Sequence, residues 1–115
     1  MKRGEICVVD FDPSRGSEAD KSRPVVIVSN DAVNITAERL GRGVVTVVPI
    51  TSQTAIVHPF QVLLPAKSTG LSRNSKAQAE QVRSVSVERL GRVIGELTQE
   101  LQEELDDALR LHLGL

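Results

Sequence analysis

The sequence predicts one small α+β domain, mainly β: a coiled antiparallel barrel of about five or six short strands with a helix at its C-terminal end. Three observations point there. Short β-branched runs at 25–28 and 44–50 alternate with turn-forming residues. One amphipathic helical pattern stands out, at 97–113. The chain has 115 residues and 40% apolar content, which suits a single core and a single domain spanning 1–115. Aromatic residues make up only 2%, namely Phe11 and Phe60. The core is therefore built from Val, Ile and Leu, near the lower size limit for one hydrophobic core. A homodimer that buries more apolar surface would ease that limit.

Residues 4–11 read as the first strand, stopped by Asp12-Pro13. Residues 13–23 hold no apolar side chain larger than Ala and form a loop longer than a hairpin needs, the kind of connection that often carries function. Residues 24–29 read as a strand buried on both faces, with Pro24 at its first position. Asn30-Asp31 caps a short helical segment that runs to about Arg39. Residues 40–43 turn the chain into a further buried strand at 44–50. After the His58-Pro59 break, 60–64 is a strand and 65–74 a loop. Residues 77–85 alternate as one half-exposed strand, 86–90 form a helical turn, and 92–96 a last strand. In the terminal helix Leu97, Leu101, Leu105, Ala108 and Leu109 face inward, and Glu100, Glu103, Glu104 and Asp107 face water. Thr98 is its N-cap and Gly114 its end. Glu-Arg-Leu-Gly-Arg occurs at 38–42 and again at 88–92, without similarity around it; it reads as two similar turns rather than a repeat.

Several classes fall away. A single cysteine, Cys7, builds neither a disulfide framework nor a Cys-based zinc site. The N-terminal residues run into a strand rather than a signal-peptide core, and no apolar run reaches bilayer length, so a soluble cytoplasmic protein is expected. The net charge of −1 is unevenly spread. Residues 1–95 carry 13 Lys and Arg against 9 Asp and Glu, whereas 96–115 carry 1 against 6. A mildly basic body with an acidic helix permits a nucleic-acid partner without requiring one.

The residues that could carry chemistry are few. A two-histidine acid–base site would need both His58 and His112, but His112 continues the apolar stripe of the helix, where a partly buried imidazole at the negative dipole end is the ordinary reading. His58 sits in a Pro-bounded loop. Asp10, Asp12, Glu18 and Asp20 cluster early, with a spacing that matches no calcium loop, and no metal or other cofactor is expected. Gly41-Arg42-Gly43 lacks the following helix and Lys of a phosphate cradle. Arg23-Pro24 at one strand's start and Thr51-Ser52 at another's end are more suggestive. Antiparallel pairing can set a guanidinium beside two hydroxyls, an arrangement suited to a phosphodiester whose charge grows in the transition state. The alternative is an Arg on a rim and a Thr-Ser that ends a strand. Residue types alone favour the alternative.

Five blocks in order change that weighting. They are Arg3-Gly4-Glu5-Ile6 with 9–13; Gly16-Ser17-Glu18 with 23–30; Val48-Pro49-Ile50-Thr51-Ser52; Pro59-Phe60-Gln61-Val62; and Glu80-Gln81-Val82-Arg83-Ser84 with 88–90 and Ile94-Gly95. Over almost its full length the sequence resembles the MazF/PemK family of bacterial toxin endoribonucleases, from toxin–antitoxin systems. The resemblance implies an SH3-like barrel of the CcdB/MazF kind with a C-terminal helix, acting as a homodimer. It implies metal-independent, sequence-specific cleavage of single-stranded RNA by 2′-hydroxyl attack, leaving 2′,3′-cyclic phosphate and 5′-hydroxyl ends. Messenger RNA is the expected target, with transfer and ribosomal RNA as further candidates.

The family's catalytic pair falls on Arg23 and Thr51, its RNA-contacting loop on Gly16, Ser17 and Glu18, and its Glu-Gln-x-Arg strand on Glu80, Gln81 and Arg83. Arg23 suits charge stabilisation better than base catalysis, because a guanidinium does not readily give up its proton. Glu18 is the nearest general base or else holds the loop, and both roles stay open. Ser52 and His58 complete the RNA-binding candidates. His58 stands where the family often has an aromatic, so base reading falls to backbone groups, Arg, Gln and His58.

The implied partner is a MazE-like antitoxin whose acidic, initially disordered segment folds over the basic groove, with operator DNA bound only through the antitoxin. Two rivals share the fold: a gyrase-binding toxin of the CcdB type, and an inactive SH3-like co-repressor module. The Leu113-Gly114-Leu115 end and the absence of Trp argue against the first, and the presence of both Arg23 and Thr51 against the second.

Overall fold

A computed structural model describes residues 1–10 and 22–115. Phe11, Asp12, Pro13, Gly16, Ser17, Glu18 and Asp20 lie outside the described residues. The elements run β1 (Glu5–Asp10), β2 (Ser22–Ile27), α1 (Asp31–Leu40), β3 (Val44–Thr51), β4 (Gln61–Leu64), α2 (Ala66–Thr69), β5 (Ser75–Gln78), β6 (Arg83–Ser86), β7 (Leu90–Glu96) and α3 (Gln99–Leu113). This is the expected α+β class, an antiparallel sheet with a terminal helix. Among the described residues no helix is long and apolar enough to cross a membrane.

The strand order is β4-β5-β3-β2-β1-β7, with β6 added to β3. On one side β3 pairs with β2 through Val25/Pro49, Val26/Val48 and Ile27/Val47. On the other side it pairs with β6 over residues 44–47 and with β5 over 50–51. Val48 and Pro49 fall between these two neighbours, so the residue with no N–H stands where the strand changes partner. The stretch expected as one strand at 77–85 is two, β5 and β6, separated by a 3-10 turn at Ala79–Gln81. Small apolar residues keep the period of two across that turn, and it holds no Gly or Pro to punctuate it. Pro24 is also not the first residue of its strand: it lies opposite Val8 of β1, two residues into β2. Pairing with β3 starts only at Val25, so β2 has a single ladder neighbour at Pro24 and tolerates it as an edge would.

Alternation along β1, β2 and β3 feeds two cores on opposite faces. Ile6, Val26, Val48 and Ile50 join Val62, Leu64 and Ala77 under Leu105 and Ala108 of α3. Cys7, Val9, Val25, Ile27, Val45 and Val47 join Val85 and Val87 against Ala37 of α1. The unbroken apolar run 25–27, fully buried, follows from this double burial. Both long helices are capped as expected: Asn30 accepts from the Val33 N–H, and Thr98 from the Leu101 N–H. In α3 the buried stripe ends at Leu109, and His112 is exposed rather than partly buried because the helix runs past the core.

The strand ladder among the described residues does not close, its ends being β4 and β7. The sheet curls instead, until α2, which follows β4, touches β7. A Cβ on Gly95 would lie 1.9 Å from the Thr69 carbonyl oxygen, and one on Gly70 2.9 Å from that of Ile94. Backbone contact at two glycines stands where a closed barrel would have hydrogen bonds. Gly95→Ala is therefore expected to force α2 off β7 and cost about 1–3 kcal/mol, read as a lower denaturation midpoint.

Arg3 ties the N-terminal turn to the rest. Its Nε donates to the Val28 carbonyl at 2.9 Å and its Nη2 to Asp106 Oδ1 at 2.7 Å. Burial opposes ionisation of Asp106, but hydrogen bonds from Arg3 and Gln102 and the charges of Arg3 and Arg110 outweigh it, holding the carboxyl below its usual value. A depressed carboxyl stabilises the fold fully above its unfolded pKa and loses that contribution as the pH falls through the folded value. Asp106→Asn should thus destabilise at neutral pH by a few tenths to about 1 kcal/mol after solvent screening. Thermal melts across pH should show the gap to the native chain vanishing on the acid side.

Candidate active site and nucleic-acid interface

The β2–β3 register decides which side chains meet. Val25 faces Pro49. Recorded pairing with β3 stops at Val25, and by strand alternation Pro24 lies on the face of Ile50 and Arg23 on the face of Thr51. Pro24 and Ile50 line one cavity, in keeping with that shared face. The Arg23 guanidinium and the Thr51 hydroxyl therefore rise from neighbouring strands on one face. Arg23 is exposed, with Nη1 3.4 Å from the Ser22 carbonyl oxygen. Thr51 is half-buried, and its Oγ1 accepts from the Gln53 N–H at 3.2 Å, which leaves the hydroxyl proton for donation outward.

Two more cations share this face. Lys76 of β5 is the cross-strand partner of Thr51 on the side away from β2. Arg83 of β6 opposes Val47, which the period of two puts on the same face as Thr51. Arg83 is exposed, whereas Lys76 is buried and its Nζ donates to the Ile56 carbonyl at 2.6 Å. Sequence reasoning missed Lys76. Its only signal is a charged residue between Ser75 and Ala77, which looks like an ordinary exposed position until both neighbours prove buried.

Ser52 is separated from Thr51. With Pro24 and Ile50 it lines a cavity of about 450 Å³, together with Arg73 and Arg92. Strand alternation places this cavity on the reverse face of the sheet, so Arg23 meets one hydroxyl on its own face rather than two.

The 52–60 loop is held from below. His58 N–H donates to Gln61 Oε1 at 3.1 Å, and Gln61 Nε2 to Glu80 Oε2 at 2.8 Å. Gln61 is buried, and Glu80 Oε1 is buried without a hydrogen-bond partner. Glu80 thus points inward as a support, while Gln81 and Arg83 of the same segment are exposed. His58 is exposed and stacks on Phe60 at 5.2 Å between ring centroids. Gln61 was the other missed residue, hidden because a polar residue opening a strand gives no sign of facing inward.

Gly16, Ser17 and Glu18 lie outside the described residues. Among those described, no three of His, Cys, Asp and Glu gather as a metal cradle. Burial and, secondarily, the charge of Glu5 push the Cys7 thiol up to about 11, which makes it a core residue rather than a nucleophile.

The chain was compared with known proteins. Residues 2–113 match a family described as PemK-like, MazF-like toxin of type II toxin-antitoxin system. The sequence is 61% identical over 115 residues to endoribonuclease MazF9 of Mycobacterium tuberculosis (strain ATCC 25618 / H37Rv), covering 100% of this chain and 98% of that protein. Its fold is similar to the solved Mycobacterium tuberculosis toxin MazF-mt6, with a TM-score of 0.76 and 27% identity over 96% of this chain and 97% of the other. It is also similar to a mycobacterial endoribonuclease solved in complex with its cognate antitoxin, with a TM-score of 0.75 and 25% identity over 100% of this chain and 96% of the other. A curled antiparallel sheet that carries Arg23 and Thr51 on one face and a match over nearly every residue lead to one conclusion: the chain belongs to the PemK-like, MazF-like toxins of type II toxin–antitoxin systems.

Proposed function

We propose that this toxin is a sequence-specific endoribonuclease that cleaves single-stranded RNA without a metal ion. What supports the reading is strand alternation, by which Arg23 of β2 and Thr51 of the neighbouring β3 share a face that bears two further cations. The 2′-hydroxyl attacks the adjacent phosphorus, forming a 2′,3′-cyclic phosphate as the bond to the 5′-oxygen breaks. The proton of the 2′-hydroxyl passes to a base, and the leaving 5′-oxygen gains one. Negative charge grows on the non-bridging oxygens, and a permanently charged fork of N–H donors stabilises it most where water is partly excluded. Arg23 supplies that fork. Thr51 donates its hydroxyl proton to the same phosphate or relays one to the leaving group. Glu18 takes the part of the base.

Gln81, Arg83 and His58, with Gly16 and Ser17, hold the flanking nucleotides, whereas Ser52 lines the cavity on the other face. The working unit is a homodimer in the cytoplasm, restrained by a MazE-like antitoxin whose acidic segment covers the cationic face. The four acidic residues Glu100, Glu103, Glu104 and Asp107 are all exposed on α3, which packs over the opposite face of the sheet. They therefore stay clear of an RNA strand.

Purified protein incubated with defined single-stranded RNA in excess chelator should leave cyclic phosphate and 5′-hydroxyl ends. Arg23→Ala should lower kcat about 100–1000-fold, the scale of losing one preorganised charge donor. Arg23→Lys keeps the charge but not the fork, so it should fall between the two; activity equal to native would count against bidentate geometry.

A further inference from the structure

Lys76 carries an ammonium group to which no carboxylate among the described residues is paired. The residue is only 8% exposed, and Nζ donates to a single acceptor, the Ile56 carbonyl. Lys76 takes part in none of the ion pairs seen among the described residues, such as Arg3 with Asp106 and Arg110 with Asp107. The buried carboxylate of its own segment, Glu80, takes its hydrogen bond from Gln61 instead. A charge buried this far ordinarily has a counter-ion, and one carbonyl satisfies one of three N–H donors.

The position explains the deficit. Lys76 pairs directly with Thr51, so its stem rises on the same face as the hydroxyl. Arg23 of β2 and Lys76 of β5 share the face of Thr51, on strands that flank β3 on either side. An RNA strand crossing β3 at Thr51, with its scissile phosphate between Arg23 and Thr51, carries the neighbouring phosphate toward β5. We propose that Lys76 binds that neighbouring backbone phosphate, which is its missing counter-ion, and that the Ile56 carbonyl holds the ammonium ready for it. This rests on the endoribonuclease reading above and extends it to a residue outside the Arg23–Thr51 pair. Because the contact is made before and during reaction alike, it strengthens substrate binding rather than the chemical step.

Cleavage of a defined single-stranded RNA by the full chain, measured from low to high salt, tests this. Lys76→Gln keeps a donor for the Ile56 carbonyl and removes the charge; Lys76→Met keeps the stem alone; Lys76→Arg keeps the charge. Both neutral variants should raise KM about tenfold with kcat little changed, and should flatten the slope of log KM against log salt by about 0.7, the value of one phosphate on a single strand. Lys76→Arg should keep the native slope. Thermal melts check that each variant folds. A Gln variant with native KM and slope would reduce Lys76 to an anchor for the loop and overturn the proposal, as would a loss in kcat at unchanged KM. If the native chain itself leaves RNA intact, the nuclease reading fails instead, and that result is seen before any variant is made.

Discussion

A one-residue slip of β2 against β3 would carry Arg23 off the face of Thr51 and turn Val25 and Val26 each into the other's core. Neither change is cheap. The face that receives Val26 is filled by Leu105 and Ala108 of α3, and the face that receives Val25 and Ile27 by Ala37 of α1. In most half-buried sheets, register is enforced because a slip exposes apolar residues to water. Here both faces are buried, so the enforcement is volumetric: two cores of different composition accept one alternation of side chains. The packing that stabilises the domain is the same constraint that aligns a guanidinium with a hydroxyl at the sheet's open end.

The sheet also separates charge. Arg23, Lys76 and Arg83 share the face of Thr51, while α3 lies across the other core with its acidic stripe outward. A domain of net charge −1 can therefore present a positive surface to phosphate, because at physiological ionic strength charges beyond about 8 Å are largely screened from one another. Whole-chain charge says little about such a protein. What matters is which face of the sheet each charge is carried on, and that follows from strand parity.

Parity also explains what could be read in advance. The two capped helices were legible because Asn30 and Thr98 combine with helical spacing that nothing else in the chain imitates. The strands 25–27 and 44–50 were legible as buried runs. The break between β5 and β6 was not, because Ala77, Ala79 and Val85 keep the strand period across a 3-10 turn. The separation of Ser52 from Thr51 follows from alternation, yet adjacency in sequence suggested two hydroxyls acting together. Lys76 and Gln61 stayed hidden for another reason. Polar residues are normally read as exposed, and only the tertiary fold reveals that these two are buried, each hydrogen-bonded to the backbone of the 52–60 loop. That Arg23 and Thr51 act together is suggested by residue type and strand ends and weighted by the resemblance; the fold adds that strand alternation puts both on one face.

The shortage of aromatic side chains bears on how such a surface would hold RNA. Proteins that grip single strands without reading sequence rely on stacking platforms, each worth about 1–3 kcal/mol per base. Among the described residues the one stacked pair is His58 on Phe60, and Phe60 is half-buried beneath it. Binding must then draw on charge and hydrogen bonds, from Arg23, Lys76, Arg83 and Gln81. Charge-based binding depends steeply on salt and fixes the path of the backbone rather than the identity of its bases. Sequence choice is left to the few groups able to reach base edges, Gln81 and the loop that Gln61 and Glu80 hold in place. On the proposed reading the buried Gln61 carboxamide bears on that choice from outside the reacting centre, because it accepts from the backbone N–H of the residue that carries the His58 ring.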